Sequence, residues 1–146
     1  MSVKRRAVRI VVLDVRGHVL LCTVGARKAG RPGRPDQEIP GGSLEDDETL
    51  EAAAQREVLE ETGLNLPLEG FKSLGLANFD TQAEGAWEIN LFCVRVNKEV
   101  GALVPQDPTE IAAIDFYPPD AAPVNAAIAV YGFRDLEELL SRECEA

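Results

Sequence analysis

Residues 42–64 read GSLEDDETLEAAAQREVLEETGL. At about 100° per residue around a helix, Leu50, Ala53, Ala54 and Val58 form one apolar stripe. Glu57 and Glu61 project within roughly 20° of Leu50 on the same count, and Glu60 lies beside them. One face therefore begins apolar and ends in three carboxylates. A helix that packs its Leu50 end on a core aims its Glu57, Glu60 and Glu61 end at the rim of that core. Two unit charges about 4 Å apart repel by ~1 kcal/mol in water and ~4 kcal/mol at an effective dielectric near 20. A domain's whole stability is only about 5–15 kcal/mol. Three crowded carboxylates on a half-buried face thus call for positive charge among them, and hard oxygen donors suit Mg²⁺ or Mn²⁺. The alternative is a plain solvated acidic helix end.

The surrounding residues favour the first reading. From Gly42 the chain runs five residues to Glu48, seven more to Arg56-Glu57, then Val58, any residue, Glu60-Glu61, any residue, and Gly63-Leu64. This pattern resembles the Nudix box, G-x5-E-x7-R-E-U-x-E-E-x-G-U with U a bulky aliphatic residue, and every fixed position is filled. The resemblance implies an α+β fold, an α/β/α sandwich with a mixed β-sheet and a loop-helix-loop motif that binds divalent metal. It implies hydrolysis of a nucleoside diphosphate linked to another group, with Mg²⁺ or Mn²⁺ as cofactor. By position, Glu57, Glu60 and Glu61 correspond to metal ligands, and the backbone carbonyl of Gly41 to a further one. Arg56 and Glu48 correspond to the pair that orients the catalytic glutamates. Thr49 suits a helix N-cap, and Gly63 a C-terminal glycine.

The residue types fit that chemistry. Phosphate esters are anionic and repel an attacking water. Divalent ions cancel that charge and acidify a bound water, and a further carboxylate can take the proton.

Net charge is −10. That argues against general nucleic-acid binding and against anionic membranes; a small-molecule nucleotide is the expected partner. The length of 146 residues suits one domain with a real core, residues 1–146. No apolar run is long enough to span a bilayer and no signal peptide is visible, so a cytoplasmic location is expected. Cys22, Cys93 and Cys144 show no metal-ligand spacing. Cys22 and Cys93 sit in strand-like runs as small buried hydrophobes, and an odd count suits a reducing compartment. A homodimer is left open by analogy.

Around the box, residues 6–14 and 19–24 read as a strand hairpin, with His18 exposed in the turn. Residues 25–35 form a Gly/Pro-rich loop carrying four basic residues in an acidic chain. It is either a solvated loop or a phosphate-reaching one, with Arg27 and Arg34 the candidates. Gln37-Glu38-Ile39-Pro40-Gly41-Gly42 resembles the family's approach to the box, but Gln37 stands where tryptophan is frequent. Residues 68–79 read as a strand hinged at Gly75, 81–86 as a hairpin loop, and 87–97 as a strong strand whose apolar alternation switches. A bulge or two buried faces would explain the switch.

Trp87 and Phe79 are either core or stacking surfaces for a nucleobase. Glu110, before the strand 111–117, matches by placement the family glutamate that serves as base or extra ligand; Glu88 and Glu84 are weaker candidates, and Glu57 itself could be the base. Residues 123–131 and 135–143 read as closing helices. A catalytically silent nucleotide sensor or partner-binding module, and a hydrolase of non-nucleotide polyphosphates, remain as alternatives.

Overall fold

The computed structural model describes residues 5–81 and 85–143. The chain lays down β1 (Arg5–Leu13), β2 (Val19–Val24), β3 (Gln37–Glu38), β4 (Gly41–Ser43), α1 (Leu50–Thr62), a 3₁₀ turn (Leu68–Gly70), β5 (Lys72–Thr81), β6 (Gly85–Arg95), β7 (Ile111–Tyr117), α2 (Ala122–Ala129) and α3 (Leu136–Glu143). These strands make one mixed sheet. β1 runs parallel to β6 from Arg5↔Trp87 to Leu13↔Arg95, and β6 runs antiparallel to β5. On the other side β2 pairs antiparallel with β7.

The hairpin expected from residues 6–24 forms only at its tip. β1 and β2 are in register at Leu13↔Val19 and then part. The segment 37–43 fills the gap: β3 pairs with β2 at Cys22↔Glu38, and β4 pairs with β1 at Val8↔Gly42. Between them the Ile10 amide donates to the Pro40 carbonyl at 2.8 Å. The wedge satisfies backbone groups that two diverging strands would otherwise leave bare. It also delivers Gly41 and Gly42 to the centre of the sheet rim. β4 was not anticipated, because three residues of Gly-Gly-Ser carry no strand signal.

Both faces of the sheet are covered. Val8, Ile10 and Val12 of β1 alternate toward α1, where they meet Ala53, Ala54 and Val58. Ala7, Val11 and Leu13 point the other way, toward Val124, Ala127, Ile128 and Leu136. Period-two alternation with both faces apolar explains why this strand reads as a nearly continuous hydrophobic run. The same explanation settles β6, where residues 89–94 are all buried. Its switch of apolar set reflects two buried faces; the bulge lies in β5, between Ser73 and Gly75. The start of the expected 68–79 strand is instead the 3₁₀ turn. Much of the loop expected at 81–86, with the candidate Glu84, falls outside the described residues, as does Cys144.

Cys22 is a buried free thiol whose pKa burial pushes far up. Cys93 is buried too, but disulfide-bonded rather than the free hydrophobe expected. Disulfide pairing is set by the fold and cannot be read from cysteine spacing alone, so the thiol count carries no argument about compartment. Among the described residues no helix is long and apolar enough to cross a membrane.

Gly41 is where the wedge tolerates least change. A Cβ built there would lie 2.1 Å from the Val8 carbonyl oxygen and 2.9 Å from the Arg9 Cα. Both are strand backbone and cannot swing aside. Gly41→Ala is therefore expected to lower stability by about 1–3 kcal/mol, the usual cost of overpacking. Urea unfolding measures this; an unmoved midpoint would show that the wedge is loose.

Candidate active site

Helix α1 sets the site's first wall. The Thr49 hydroxyl accepts from the Ala52 amide at 3.1 Å, and Gly63 ends the helix at φ 79° with its amide on the Leu59 carbonyl. Both are caps that supply partners for end groups of the helix. With Ala53, Ala54 and Val58 locked into the core, Glu57 and Glu61 come to lie against β4. A Cβ on Gly42 would sit 2.3 Å from Glu57 Oε2, so glycine there lets the carboxylate approach the backbone. The Gly41 amide donates to Glu61 Oε2 at 3.2 Å. These groups line a cavity of about 380 Å³ together with Glu60, and Lys28, Asp107 and Glu110 close its far side.

Arg56 holds the carboxylates in place. Its Nε and Nη2 donate to the two oxygens of Glu48 at 2.7 and 2.9 Å, a forked pair. Its Nη1 reaches Glu57 Oε1 at 3.1 Å and Glu60 Oε1 at 3.0 Å, and Nη2 also reaches the Ser43 carbonyl at 3.1 Å. Hydrogen bonds from Arg56 hold Glu48 below its ordinary pKa. Glu57 and Glu61 go the other way. Burial pushes both up, Glu61 to about 8, despite the opposing pull of Arg56 on Glu57 and of Arg9 on Glu61. Two carboxyls that resist ionisation at the rim of a core mark a place short of positive charge.

The donor set, carboxylates with an adjacent backbone carbonyl, matches the oxygen preference of a hard divalent ion. The fit is of chemistry more than of finished geometry. Among the described residues no three acidic, imidazole or thiol groups already converge as an ion cage. Glu60 is largely exposed and engaged by Arg56.

The basic loop meets this site through Glu110. Arg27 Nη1 lies 2.5 Å from Glu110 Oε1 and Lys28 Nζ 3.1 Å from Oε2, so each oxygen has a cationic partner. Lys28, then Arg27, hold Glu110 below its ordinary pKa. The Gly25 amide donates to the Glu110 carbonyl at 2.8 Å, which ties the loop to the start of β7.

A second, smaller cavity of about 120 Å³ opens on the opposite side of β4 and shares Gly42 and Ser43 with the first. Its walls include Arg9, Arg34, Phe79, Trp87 and Tyr131. Arg9 lies 4.9 Å from the centre of the Tyr131 ring and donates to the Ile39 carbonyl at 3.0 Å. Burial opposes its charge, but Tyr131, Glu38, Glu61 and Glu57 outweigh burial and raise its pKa. Arg34 donates to Glu38 at 3.2 Å and to the Tyr131 hydroxyl at 2.5 Å.

The NUDIX domain family model matches residues 3–135. The chain belongs to the Nudix family. Similar solved structures include a MutT/nudix family protein from Enterococcus faecalis, at TM-score 0.65 and 22% identity over 80% of this chain and 44% of that one. The NUDIX domain of Shewanella oneidensis NrtR, complexed with ADP ribose, matches at TM-score 0.66 and 17% identity over 97% of this chain and 89% of that one. A bifunctional NMN adenylyltransferase/ADP ribose pyrophosphatase from Francisella tularensis, complexed with AMP and a Mn ion, matches at TM-score 0.62 and 20% identity over 97% of this chain and 42% of that one. At these identities the likeness is one of fold. The chain spans less than half the length of the first and third of these proteins.

Within this Nudix fold the residues singled out from sequence divide between places. Gly41, Glu57, Glu60, Glu61 and Glu110 share the first cavity; Arg34, Phe79 and Trp87 share the second. Arg56 and Glu48 stand behind the first. Arg27 lines neither cavity and sits on Glu110, and Glu88 lines neither and pairs with Arg6 at 3.4 Å. Lys28, Arg9 and Tyr131 were not singled out. Arg9 had a signal: it is a charge inside the apolar run of β1, at a position where its neighbours two residues away are core.

The raised Glu61 pKa has a consequence for stability. The folded chain keeps this proton up to about pH 8, whereas an ordinary glutamate releases it near 4.5. Folding therefore retains a proton across that window, and stability falls as pH rises through it. Without divalent ions, Glu61→Gln is expected to remove this component. The variant should melt higher than wild type, by about 3 °C or more, above pH 8 and lose that advantage near pH 5. Equal melting at both pH values would show that Glu61 ionises freely.

Proposed function

We propose that the first cavity cleaves a phosphoanhydride bond in a nucleoside diphosphate linked to another group, with Mg²⁺ or Mn²⁺ as cofactor. Nucleoside triphosphates, nucleotide sugars and dinucleoside polyphosphates are the substrate classes. The observation that carries this is the pair of half-buried carboxyls, Glu57 and Glu61, in a cavity that shares Gly42 and Ser43 with a second one walled by arginines and aromatic rings. One end suits ion-bridged phosphates and the other a base. The ADP ribose and AMP in two similar structures, and the Mn ion in one, support nucleotide and metal as the ligand classes.

The residues that would hold the ion are Glu57, Glu61 and the Gly41 carbonyl, with Glu60 joining after it leaves Arg56. Bound there, a divalent ion supplies charge neutralisation on phosphoryl oxygens and a more acidic water. Arg56, braced by Glu48, fixes the Glu57 carboxylate and is a positioning residue. Lys28, across the cavity, supplies a cation for the phosphates if it leaves Glu110. We assign the general base to Glu57. Glu110 is a poorer choice because both its oxygens are engaged by Arg27 and Lys28 and its pKa is depressed, whereas Glu57 lines the cavity with its pKa raised by burial.

Hydrolysis of a panel of nucleotides, with Mg²⁺ and with Mn²⁺, tests this. Wild type is expected to turn over at least one. Glu57→Gln should lower kcat/KM by about 100-fold or more, the usual weight of a general base, and Glu110→Gln by about 10-fold or less. Saturable nucleotide binding without turnover would identify a sensor instead. A larger loss in Glu110→Gln than in Glu57→Gln would move the base to Glu110.

Arg56→Lys separates orientation from charge. A lysine keeps the cation but cannot fork onto Glu48 and hold Glu57 at once. The expected result is a fall of about tenfold or more in kcat with little change in KM, since positioning affects the reacting geometry more than ground-state binding. A rise in KM alone would indicate that Arg56 contacts substrate.

A further inference from the structure

The basic loop is pinned to the turn that carries Glu110, and this decides which of its cations can move. The Gly25 amide donates to the Glu110 carbonyl at 2.8 Å and the Arg27 amide to the Thr109 carbonyl at 3.1 Å. The Lys28 amide turns back to the Gly25 carbonyl at 3.0 Å. A Cβ on Gly25 would collide with the Thr109 carbonyl, so the two backbones lie in direct contact. Rearrangement here is left to side chains.

Arg27 and Lys28 share Glu110 unequally. Arg27 is held at two points: Nη1 lies 2.5 Å from Glu110 Oε1, and Nη2 donates to the Thr109 hydroxyl at 3.1 Å. Lys28 meets the other oxygen, Oε2, at 3.1 Å. A planar guanidinium with two bonds keeps its place better than a single ammonium on a flexible stem. Lys28 is therefore the cation that can leave. It is also the one that reaches the site. Among the described residues lining the first cavity Lys28 alone is basic, in company with Glu57, Glu60, Glu61, Asp107 and Glu110. Arg27 lines neither cavity. Asp107 is engaged by Thr109, whose amide and hydroxyl donate to its Oδ1 at 3.0 and 2.6 Å.

We propose that Lys28 binds a substrate phosphate and that Arg27, without touching substrate, allows it to do so by neutralising Glu110. When Lys28 turns from Glu110 to a phosphoryl oxygen, it exchanges one anionic partner for another. It leaves behind a carboxylate in the same cavity as the phosphate. With Arg27 in place that carboxylate stays paired. Without Arg27 it is a bare anion that repels the phosphate and recaptures Lys28. Arg27 is thus a positioning residue that acts through Glu110. This deepens the hydrolase reading, and rests on it for the presence of phosphates in the first cavity.

Binding of methylenediphosphonate, whose P–C–P bridge resists hydrolysis, is measured by titration calorimetry on the full chain in excess Mg²⁺. Lys28→Met is expected to weaken binding about tenfold, the weight of one charge-assisted hydrogen bond. Arg27→Met is expected to weaken it about threefold, and Arg27→Lys, which keeps the charge, to weaken it less. Glu110→Gln removes the anion and should bind at least as tightly as wild type. The deciding variant is Arg27→Met/Glu110→Gln. With no carboxylate left to neutralise, loss of Arg27 should cost nothing further, and the double variant should match Glu110→Gln. The Arg27 side chain is 62% exposed, so its replacement leaves the core alone.

Arg27→Met weakening binding equally with and without Glu110 would overturn the inference, since Arg27 would then act on the phosphate directly. So would Lys28→Met binding like wild type, or no saturable binding of the phosphonate by wild type. The expected binding pattern in a chain that hydrolyses no nucleotide would uphold this inference and remove the hydrolase reading. Nucleotide turnover with no coupling between Arg27 and Glu110 would do the reverse.

Discussion

The burial of Glu57 and Glu61 at the rim of the α1 core is the constraint from which the other features of the site follow. A carboxylate in that position is stable only if a cation, a donor or a proton accompanies it. The structure offers partial compensation: Arg56 for Glu57, the Gly41 amide and the field of Arg9 for Glu61. Compensation is incomplete, since both groups keep raised pKa values. A site left in this condition trades stability for affinity toward added positive charge. Its surroundings are built around it. Glycines at 41 and 42 let side chains close on the backbone, and the parted strands β1 and β2 make room for those glycines.

Arg9 joins the two halves of the account. It projects from β1 toward the α2–α3 face, yet its charge is felt by Glu57 and Glu61. The same guanidinium forms a wall of the ring-lined cavity. Any ligand that spans Gly42 and Ser43 meets carboxylates at one end and arginines with aromatic rings at the other. A nucleotide with ion-bridged phosphates at one end and a planar base at the other is the ligand proposed for these two ends. The basic loop plays a different part from a freely mobile arm, since Arg27, Lys28, Arg31 and Arg34 all have carboxylate partners.

Much of this is legible in the amino-acid sequence alone. The α1 helix, its caps and its acidic end follow from helical period and from residues at fixed spacing, which are local properties. The Arg56–Glu48 pair follows only from the resemblance of the box to the family pattern. The splitting of β1 from β2 is not legible, because strand pairing is decided by partners distant in sequence, and Gly41-Gly42-Ser43 carries no propensity for a strand. Arg9 reads in sequence as an interruption of an apolar run; only the face it occupies shows its use. The engagement of Glu110 by Arg27 and Lys28 spans more than 80 residues and leaves no local trace.

The most direct measurement is anomalous diffraction from crystals soaked in Mn²⁺ near neutral pH. The expected result is density for at least one ion within coordination distance, about 2.0–2.6 Å, of Glu57 or Glu61 oxygens. Fully loaded crystals in which these glutamates bind no ion and turn to bulk solvent would contradict it.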